Sequence, residues 1–211
     1  MEENGRRCVV VGGAEIRTYE RIRALLREDD FFIFCDSGLR HLEALGVRPD
    51  LIVGDFDSHE NPHLPAETIV LPHEKDDTDT VFAVREALGR GFDDFLLLGV
   101  VGGRLDHTLG NLSILAHLDT LGRRGCIVDD YSRMRMVSAE PAEIEDSFAY
   151  FSLLNITGTA RDITVENAKF PLRGAEITCE YPYGVSNEVL RGRTARVTVG
   201  KGRLLLIEDF A

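Results

Sequence analysis

Two aspartates separated by one residue follow an apolar run at 51–53: Asp55 and Asp57 lie in the sequence GDFDSHE. In an extended chain, residues i and i+2 point to the same side, so the two carboxylates would lie a few ångströms apart. Like charges at that separation disfavour each other's ionised form. The pair is therefore predicted to face a cation.

Charged and polar residues also follow the other apolar runs of the N-terminal half. In open α/β sheets, ligands bind outside the carboxyl ends of the strands, so these residues are predicted to share one rim. We call them, together with Asp55 and Asp57, the acidic rim; the further members are Asp36, Lys75, Asp76, Asp77, Asp79, Arg104, Asp106 and His107. Several carboxylates on one rim repel one another unless hard cations hold them, and such oxygen-rich sites suit Mg²⁺. Lys75 and Arg104 would supply the fixed positive charge that phosphates need.

Some of these features also have simpler interpretations. A loop aspartate often caps a helix or forms an Asx turn, and Asp77 is interpreted in that way. The pairs Gly12-Gly13 and Gly102-Gly103 follow strands, where their backbone N–H groups could approach an anion. Neither pair has a full P-loop or dinucleotide fingerprint, so each also fits an ordinary turn. His41 and His117 are predicted to lie on helix surfaces.

Charge and composition exclude several classes of partner. The 211-residue chain has a net charge of −12 and no dense run of Lys and Arg, so no nucleic-acid partner is expected. The N-terminal apolar run is too short for a signal peptide or a membrane span, so neither export nor membrane insertion is expected. The cysteines are scattered singly, as in a cytoplasmic protein: Cys8, Cys35, Cys126 and Cys179.

The hydrophobic pattern predicts the strands and helices that must position the acidic rim. Up to residue 131, short apolar runs alternate with helical patterns, which predicts a Rossmann-like, mostly parallel sheet with flanking helices. The predicted helices include TYERIRALLRE (18–28) and LRHLEALG (39–46). Thr78 or Asp77 is predicted to cap the helix that follows it, and helix C-caps are expected at Gly46, Gly89 and Gly122.

The pattern changes beyond about residue 132. β-branched residues at period two and the turn sequences PYG and GKG predict an all-β sandwich or barrel over 132–211. Two domains, 1–131 and 132–211, are therefore expected.

Taken together, these motifs resemble the thiamine pyrophosphokinases, also called thiamine diphosphokinases. The matching segments, in the family's order and spacing, are DSGLRHLEALGVRPDLIVGDFDS (36–58), KDDTD (75–79), GGRLDHTLGN (102–111) and GVSNE (184–188). The resemblance implies a homodimer that uses Mg²⁺ to transfer pyrophosphate from ATP to the hydroxyethyl oxygen of thiamine, with release of AMP. It also implies an ATP- and metal-binding first domain, and a second domain that contributes to thiamine binding and dimerisation.

The resemblance also assigns roles to individual residues. The residues implied in catalysis are Asp55, Asp57, Asp79 and Asp106, of which the first three would hold the metal. The residues implied in ATP binding are Asp36, Lys75, Asp76, Thr78, Arg104, His107 and Asn111. Thiamine would be bound by Ser186 and Asn187.

The thiamine pair also has a physical interpretation of its own. A hydroxyl and an amide, from Ser186 and Asn187, can match the donors and acceptors of an aminopyrimidine edge, although GVSN also suits a β-turn. Some members of the family that the chain resembles place an aromatic residue shortly after this pair, to stack on the substrate. The chain has no Trp and carries Val189 there, so Tyr181 or Tyr183 is an alternative stacking surface.

Three other functions stay open at this point. A pyrophosphokinase acting on a hydroxymethyl-pterin would share the acidic rim and differ in its acceptor pocket. A metal-dependent nucleotide hydrolase would use water instead of an alcohol, and a nucleotide sensor would bind ATP without turnover. No residue pattern indicates a covalent nucleophile, so catalysis is expected to rest on positioning and electrostatics. The sequence does not identify the general base, and one of the rim aspartates could accept the proton.

Overall fold

The computed structural model describes residues 6–56, 64–72, 74 and 76–211. Two predicted site residues, Asp57 and Lys75, lie outside the described residues. The chain divides into two compact units, of which the first ends at Asp130 and the second is Tyr131–Ala211. The sequence-based boundary falls between residues 131 and 132.

The described part of the first unit contains one parallel sheet. Its strand order is β4-β3-β2-β1-β5-β6. The strands are β1 (Arg7–Val11), β2 (Phe31–Cys35), β3 (Leu51–Gly54), β4 (Glu67–Val70), β5 (Asp94–Leu98) and β6 (Arg124–Val128). Strands covered on both faces are apolar throughout instead of alternating, which explains why the central strands β1, β2, β3 and β5 are almost wholly buried.

The register brings the ends of the central strands to one edge. Val11 pairs with Phe34 on one side and with Leu98 on the other. In the next pair of strands, Cys35 lies opposite Val53. Residues that follow β1, β2, β3 and β5 therefore emerge side by side, as the acidic-rim hypothesis requires.

The helices of the first unit begin where predicted or close by, but two are shorter. They are α1 (Tyr19–Arg23), a 3-10 helix (Asp36–His41), α2 (Leu42–Leu45), α3 (Asp79–Gly89) and α4 (Leu105–Thr120). The prediction of a helix over 18–28 is wrong beyond residue 23. Side chains hold the turn that follows: the distant Arg7 donates to the Leu25 carbonyl, and the nearby Asp30 carboxylate accepts the Arg27 N–H, each at 2.8 Å.

Most of the predicted caps are confirmed. Thr78 caps α3, because its Oγ1 accepts the Val81 N–H at 3.3 Å, and Gly46 ends α2 with a φ of 69°. Gly122 likewise has a left-handed backbone after α4. The prediction for Gly89 is wrong: α3 runs through it, and Gly91 takes the positive φ of 86° two residues later.

The second unit is antiparallel. In it, β13 pairs with β7 and β9, and a separate four-stranded sheet has the order β11-β10-β12-β8. The strands are β7 (Ser132–Val137), β8 (Ala142–Glu145), β9 (Phe148–Leu154), β10 (Thr159–Glu166), β11 (Leu172–Thr178), β12 (Thr194–Lys201) and β13 (Leu204–Phe210). One core cluster joins the two sets of strands, with Phe151 and Leu204 packed among Ile163 and Val197.

A buried carboxylate links β7 to β13. Glu208 is 0 % exposed, and its two oxygens accept hydrogen bonds from Arg133, both at 2.7 Å, and from Arg135, both at 3.2 Å. The Arg133 guanidinium also lies 4.8 Å from the centre of the Phe148 ring. A buried charge that is fully hydrogen-bonded in this way is a structural element of the unit.

The chain is thus a mixed α/β protein with a parallel sheet and a separate antiparallel sheet. Over the residues that the structure describes, no helix has the length and apolar character needed to cross a membrane.

Candidate active site

A cavity of about 260 Å³ lies at the carboxyl edge of the parallel sheet. We call it the rim cavity. The residues that line it are Gly12, Gly13, Ala14, Cys35, Ser37, Thr78, Asp79, Thr80, Gly99, Val100, Gly102, Gly103, Arg104, His107 and Asn111. The segments that follow β1, β2 and β5 and the first turns of α3 and α4 therefore meet at one place.

The glycines after β1 serve close packing of the backbone. Gly12 donates its N–H to the Leu98 carbonyl and Ala14 donates to the Gly99 carbonyl, both at 2.8 Å. A Cβ on Gly12 would lie 2.6 Å from the Gly99 oxygen, so only glycine fits there. The expectation that this pair offers its amides to an anion is wrong for Gly12, because its N–H is already used within the protein.

Two helix N-termini supply positive potential to the rim cavity. α3 contributes Thr78, Asp79 and Thr80, and α4 contributes Arg104 and His107. The unpaired N–H groups of a first helical turn and the helix dipole both favour an anionic ligand. The cavity is therefore suited to phosphate groups.

Arg104 is held by a carboxylate of its own helix. Its Nε and Nη2 donate to the two oxygens of Asp106 at 3.2 and 2.5 Å. These hydrogen bonds lower the pKa of Asp106 to about 2, and the same contact raises the pKa of Arg104. Asp106 does not line the cavity; it orients the cation that does.

The remaining predicted carboxylates occupy different places. Asp36 is buried at the start of the 3-10 helix, where its carboxylate accepts the Ser37 N–H. A Cβ on Gly54 would lie 2.5 Å from the Cβ of Asp36, so the glycine of GDFDS is needed for Asp36 to pack against it. Asp76 is exposed, and Asp77 pairs with Arg85. Neither Asp36 nor Asp76 lines the rim cavity.

The GDFDS segment turns after its first aspartate. Asp55 is half-buried directly after β3, and Phe56 has a φ of 52°, in the left-handed region. The premise that this segment is extended is therefore wrong at Phe56. A bulky residue in this region is rare and strained, and such residues cluster at functional sites. Asp57 follows outside the described residues, so the geometry of the pair stays a prediction.

A second cavity, of about 320 Å³, lies in the second unit. We call it the aromatic cavity. Its lining residues are Leu153, Phe170, Leu172, Tyr181, Pro182, Tyr183, Gly184, Val185 and Asn187. The rings of Tyr181 and Tyr183 are stacked, with centres 6.5 Å apart and an interplanar angle of 22°, and both rings are exposed. The cavity thus offers flat aromatic faces to a ligand.

Asn187 is committed largely to the protein. Its amide oxygen accepts the N–H groups of Phe170 and Glu188 at 3.0 and 2.9 Å, and its Nδ2 donates to the Phe170 carbonyl at 2.8 Å. Ser186 is exposed, with a φ of 58°, and does not line the cavity. An amide nitrogen has two N–H groups, and among the described residues only one of those of Asn187 has a partner, so the other can serve a ligand.

Two family models match consecutive parts of the chain. They are described as thiamin pyrophosphokinase, catalytic domain, over 22–126 and thiamin pyrophosphokinase, vitamin B1 binding domain, over 141–204. The chain belongs to the thiamine pyrophosphokinase family. Among its relatives is the thiamine pyrophosphokinase of Bacillus subtilis (strain 168), which is 27% identical over 208 residues, 95% of this chain and 97% of the relative.

Solved thiamine pyrophosphokinase structures share this fold. The Bacillus subtilis enzyme superposes with a TM-score of 0.85 at 24% identity, covering 97% of this chain and 99% of the other. The thiamin pyrophosphokinase of Geobacillus thermodenitrificans gives 0.83 at 26% identity, with 97% and 98% covered. The yeast thiamin pyrophosphokinase superposes with a TM-score of 0.75 at 14% identity, covering 100% of this chain and 88% of the other. At that identity the likeness shows a common fold alone.

The donor chemistry fits the magnesium ion that the thiamine pyrophosphokinase resemblance implies. Asp79 lines the rim cavity, whereas Asp55 follows β3 and is not among the lining residues; both offer the hard oxygen donors that Mg²⁺ takes. In the ranges 6–56, 64–72, 74 and 76–211, no three His, Cys, Asp or Glu side chains gather closely enough to hold a metal. The third predicted ligand is Asp57, which these ranges omit.

Sequence reasoning missed His41, which lies beside the rim cavity. His41 was expected on a helix surface but is 2 % exposed, so that prediction is wrong. Its Nε2 lies 2.9 Å from the carbonyl of Ala14, a cavity residue, and its Nδ1 lies 2.7 Å from the Tyr19 hydroxyl. Asn111 has a comparable position: it is buried, and its Nδ2 donates to the Val100 carbonyl at 2.8 Å. No local pattern in the sequence distinguishes such residues from surface ones.

Proposed function

We propose that the protein is a thiamine diphosphokinase that transfers pyrophosphate from ATP to the hydroxyl of thiamine, giving thiamine diphosphate and AMP. One observation carries this proposal. The chain has two chemically different cavities: most of the rim cavity falls within the segment matched by the catalytic family model, and all of the aromatic cavity falls within the segment matched by the vitamin B1 binding model.

In this proposal the rim cavity binds ATP. The N-termini of α3 and α4 and the Arg104 guanidinium face the triphosphate, with Lys75 as a further cation. Because Arg104 and Asp106 are both exposed, the guanidinium can exchange one carboxylate oxygen for a phosphate oxygen at little desolvation cost. His107 and Asn111 complete the wall on the α4 side.

Asp55, Asp57 and Asp79 are the residues proposed to hold magnesium. The bound ion would neutralise phosphate charge during transfer. The carboxylates themselves repel the triphosphate, so they also make nucleotide binding depend on the metal.

The aromatic cavity is proposed to bind thiamine. The thiazolium ring of thiamine is a flat cation, which is attracted to the faces of aromatic rings. Tyr181, Tyr183 and Phe170 supply such faces. The free N–H of Asn187 and the exposed hydroxyl of Ser186 are left for the aminopyrimidine edge.

The reaction then joins the hydroxyethyl oxygen of thiamine to the β-phosphorus of ATP. The bond between that phosphorus and the oxygen bridging to the α-phosphorus breaks, and AMP leaves with the bridging oxygen. The hydroxyl proton goes to a carboxylate of the acidic rim. Positioning and electrostatic stabilisation account for the rate, as in other phosphoryl transfers.

The proposal extends to architecture and assembly. The first domain, 1–131, is taken as a Rossmann-like ATP- and metal-binding domain, and 132–211 as a β-sandwich that contributes to thiamine binding and dimerisation. The protein is proposed to be a cytoplasmic homodimer in which the acceptor site of one chain serves the ATP of the other.

Complementation tests the shared site. Asp79→Asn and Asn187→Ala proteins, each checked for folding by circular dichroism, are mixed under conditions that allow subunit exchange. Recovered activity supports a site built from two chains. No recovery despite confirmed exchange means that each site lies within one chain.

Phosphorus NMR tests the reaction itself. The protein is incubated with thiamine, Mg²⁺ and ATP, and AMP and thiamine diphosphate are expected in equal amounts with no thiamine monophosphate before them. ADP and the monophosphate would instead show attack on the γ-phosphorus and refute the proposal. Rapid ATP turnover without thiamine would indicate a hydrolase, turnover with a hydroxymethyl-pterin but not thiamine would indicate the other pyrophosphokinase, and ATP binding without turnover would indicate a sensor.

A further inference from the structure

His41 is a buried histidine that the proposed reaction does not use. It ends the 3-10 helix, and both of its ring nitrogens have partners within hydrogen-bond distance. The partner of Nε2 is the Ala14 carbonyl, which can only accept, so Nε2 must carry a proton. In the neutral ring Nδ1 then accepts the hydroxyl of Tyr19. This pair of contacts fixes both the tautomer and the orientation of the ring.

Ala14 belongs to the wall of the rim cavity, in the segment that connects β1 to α1. Its N–H donates to the Gly99 carbonyl at 2.8 Å, and its C=O accepts from His41 at 2.9 Å. The backbone on both sides of Ala14 is therefore held, one side by the chain after β5 and the other by the imidazole. Downstream, the Asp130 carboxylate accepts the N–H groups of Arg17 and Thr18.

His41 is a side chain that holds the Ala14 carbonyl at the cavity end of this segment. The glycines before Ala14 have no side chains to pack, and glycine-rich backbone has the largest conformational freedom to lose. A wall built from such backbone binds a ligand tightly only when something else restrains it, because otherwise binding must order it.

We infer that His41, oriented by Tyr19, is a positioning residue that fixes the Ala14 end of the wall at 12–14 of the rim cavity and thereby sets the affinity for the nucleotide. The inference rests on the proposed function in one respect, namely that this cavity takes ATP. It assigns no proton transfer to His41, which touches neither substrate. Its effect is expected on nucleotide binding and not on thiamine binding.

Four variants separate this role from a merely structural one. His41→Leu removes the Nε2 donor. His41→Gln places an amide N–H at nearly the same distance from the Ala14 carbonyl and should restore nucleotide binding. Tyr19→Phe removes the hydroxyl that orients the ring. His117→Leu is the matched control, because His117 is exposed in the last turn of α4 and does not line either cavity.

The measurements are the dissociation constant of a non-hydrolysable ATP analogue with Mg²⁺, the KM values for both substrates, and amide hydrogen exchange over 12–18. His41→Leu should weaken analogue binding about tenfold and Tyr19→Phe about threefold, in line with the loss of one hydrogen bond. His41→Gln and His117→Leu should stay within about twofold of the wild type. Exchange over 12–18 should accelerate in His41→Leu, and the KM for thiamine should not change.

The outcomes are distinguishable. If wild-type protein binds the analogue and His41→Leu binds it equally well, the positioning role is wrong while the proposed function stands. If the wild type binds no analogue, the nucleotide site itself is wrong, and the inference fails with it. If His41→Leu does not fold, Tyr19→Phe gives the answer: unchanged analogue affinity in that variant refutes the inference, and weaker analogue binding with an unchanged KM for thiamine supports it.

Discussion

Two groups of charged residues, one in each unit of this protein, use charge in opposite ways. In the first unit, Arg104 and Asp106 pair in the open, with side chains that are 72% and 65% exposed. In the second unit, Glu208 is wholly buried between Arg133 and Arg135. An exposed pair can exchange partners with a ligand, whereas a buried carboxylate cannot lose a partner without a large cost. The first arrangement is suited to binding and the second to holding strands together.

The two cavities differ in the chemistry of their linings. The rim cavity is walled by backbone and by the first turns of two helices, which favours an anion. The aromatic cavity is walled by Phe170, Tyr181 and Tyr183, which favours a flat or cationic group. The two linings thus favour two chemically unlike ligands.

The largest expected effect concerns the buried charge of the second unit. Glu208→Gln should lower the free energy of unfolding by about 3 kcal/mol, because it leaves two arginines without their anion. The matched control is Glu176→Gln, whose partner Arg161 is exposed, and it should cost less than about 0.5 kcal/mol. Urea denaturation of both variants measures this. Equal losses would contradict the contrast between buried and exposed pairs.

The next effect concerns the rim. Asp79→Asn keeps the shape of a cavity-lining residue and removes its charge, so turnover should fall at least about tenfold with little change in stability. Asp77→Asn changes a neighbouring carboxylate that pairs with Arg85 outside the cavity, and it should leave turnover within about twofold. Steady-state kinetics at saturating Mg²⁺ compare them. Wild-type turnover in Asp79→Asn would exclude a metal role for that residue.

A smaller effect is expected in the aromatic cavity. Tyr183→Leu should raise the KM for thiamine about fivefold, since one aromatic face for a cation is typically worth about 1 kcal/mol. The KM for ATP should stay the same. Tyr150→Leu, an exposed tyrosine outside the cavity lining, is the control. A shift in the ATP constant instead of the thiamine constant would show that the two cavities are assigned the wrong way round.

The smallest effect is a pH dependence of stability from His41. Burial lowers the pKa of His41 from its ordinary value of 6.5, and the nearby charge of Arg40 lowers it further, while the bond to Ala14 opposes the shift. Below about pH 6.5 the unfolded chain binds a proton there that the folded protein resists, so stability should fall with pH until the lower folded pKa is reached. His41→Gln should flatten this part of the profile. Denaturation at about pH 7.5 and about pH 5.5 tests it, and parallel profiles for both proteins would contradict it.

Much of the first unit follows from the sequence by itself. Apolar runs separated by helical patterns specify a parallel sheet, because burial on both faces requires continuous apolar strands. Residues after those runs then share one edge, and this rule alone selects Asp79, Arg104 and His107, all of which line the rim cavity. The motifs at 36–58, 75–79, 102–111 and 184–188 identified the family.

Only the tertiary structure decided what each polar group does there. Three hydrogen bonds join residues that are far apart in the sequence. His41 and the Ala14 carbonyl are separated by 27 residues, Asn187 and Phe170 by 17, and Glu208 and Arg133 by 75. Hydrophobic periodicity reports which face of an element is apolar, but a hydrogen bond between distant segments exists only once packing has brought them together. For the same reason, the local sequence pattern did not reveal that the Gly12 N–H is already bonded to the Leu98 carbonyl, or that the backbone turns at Phe56.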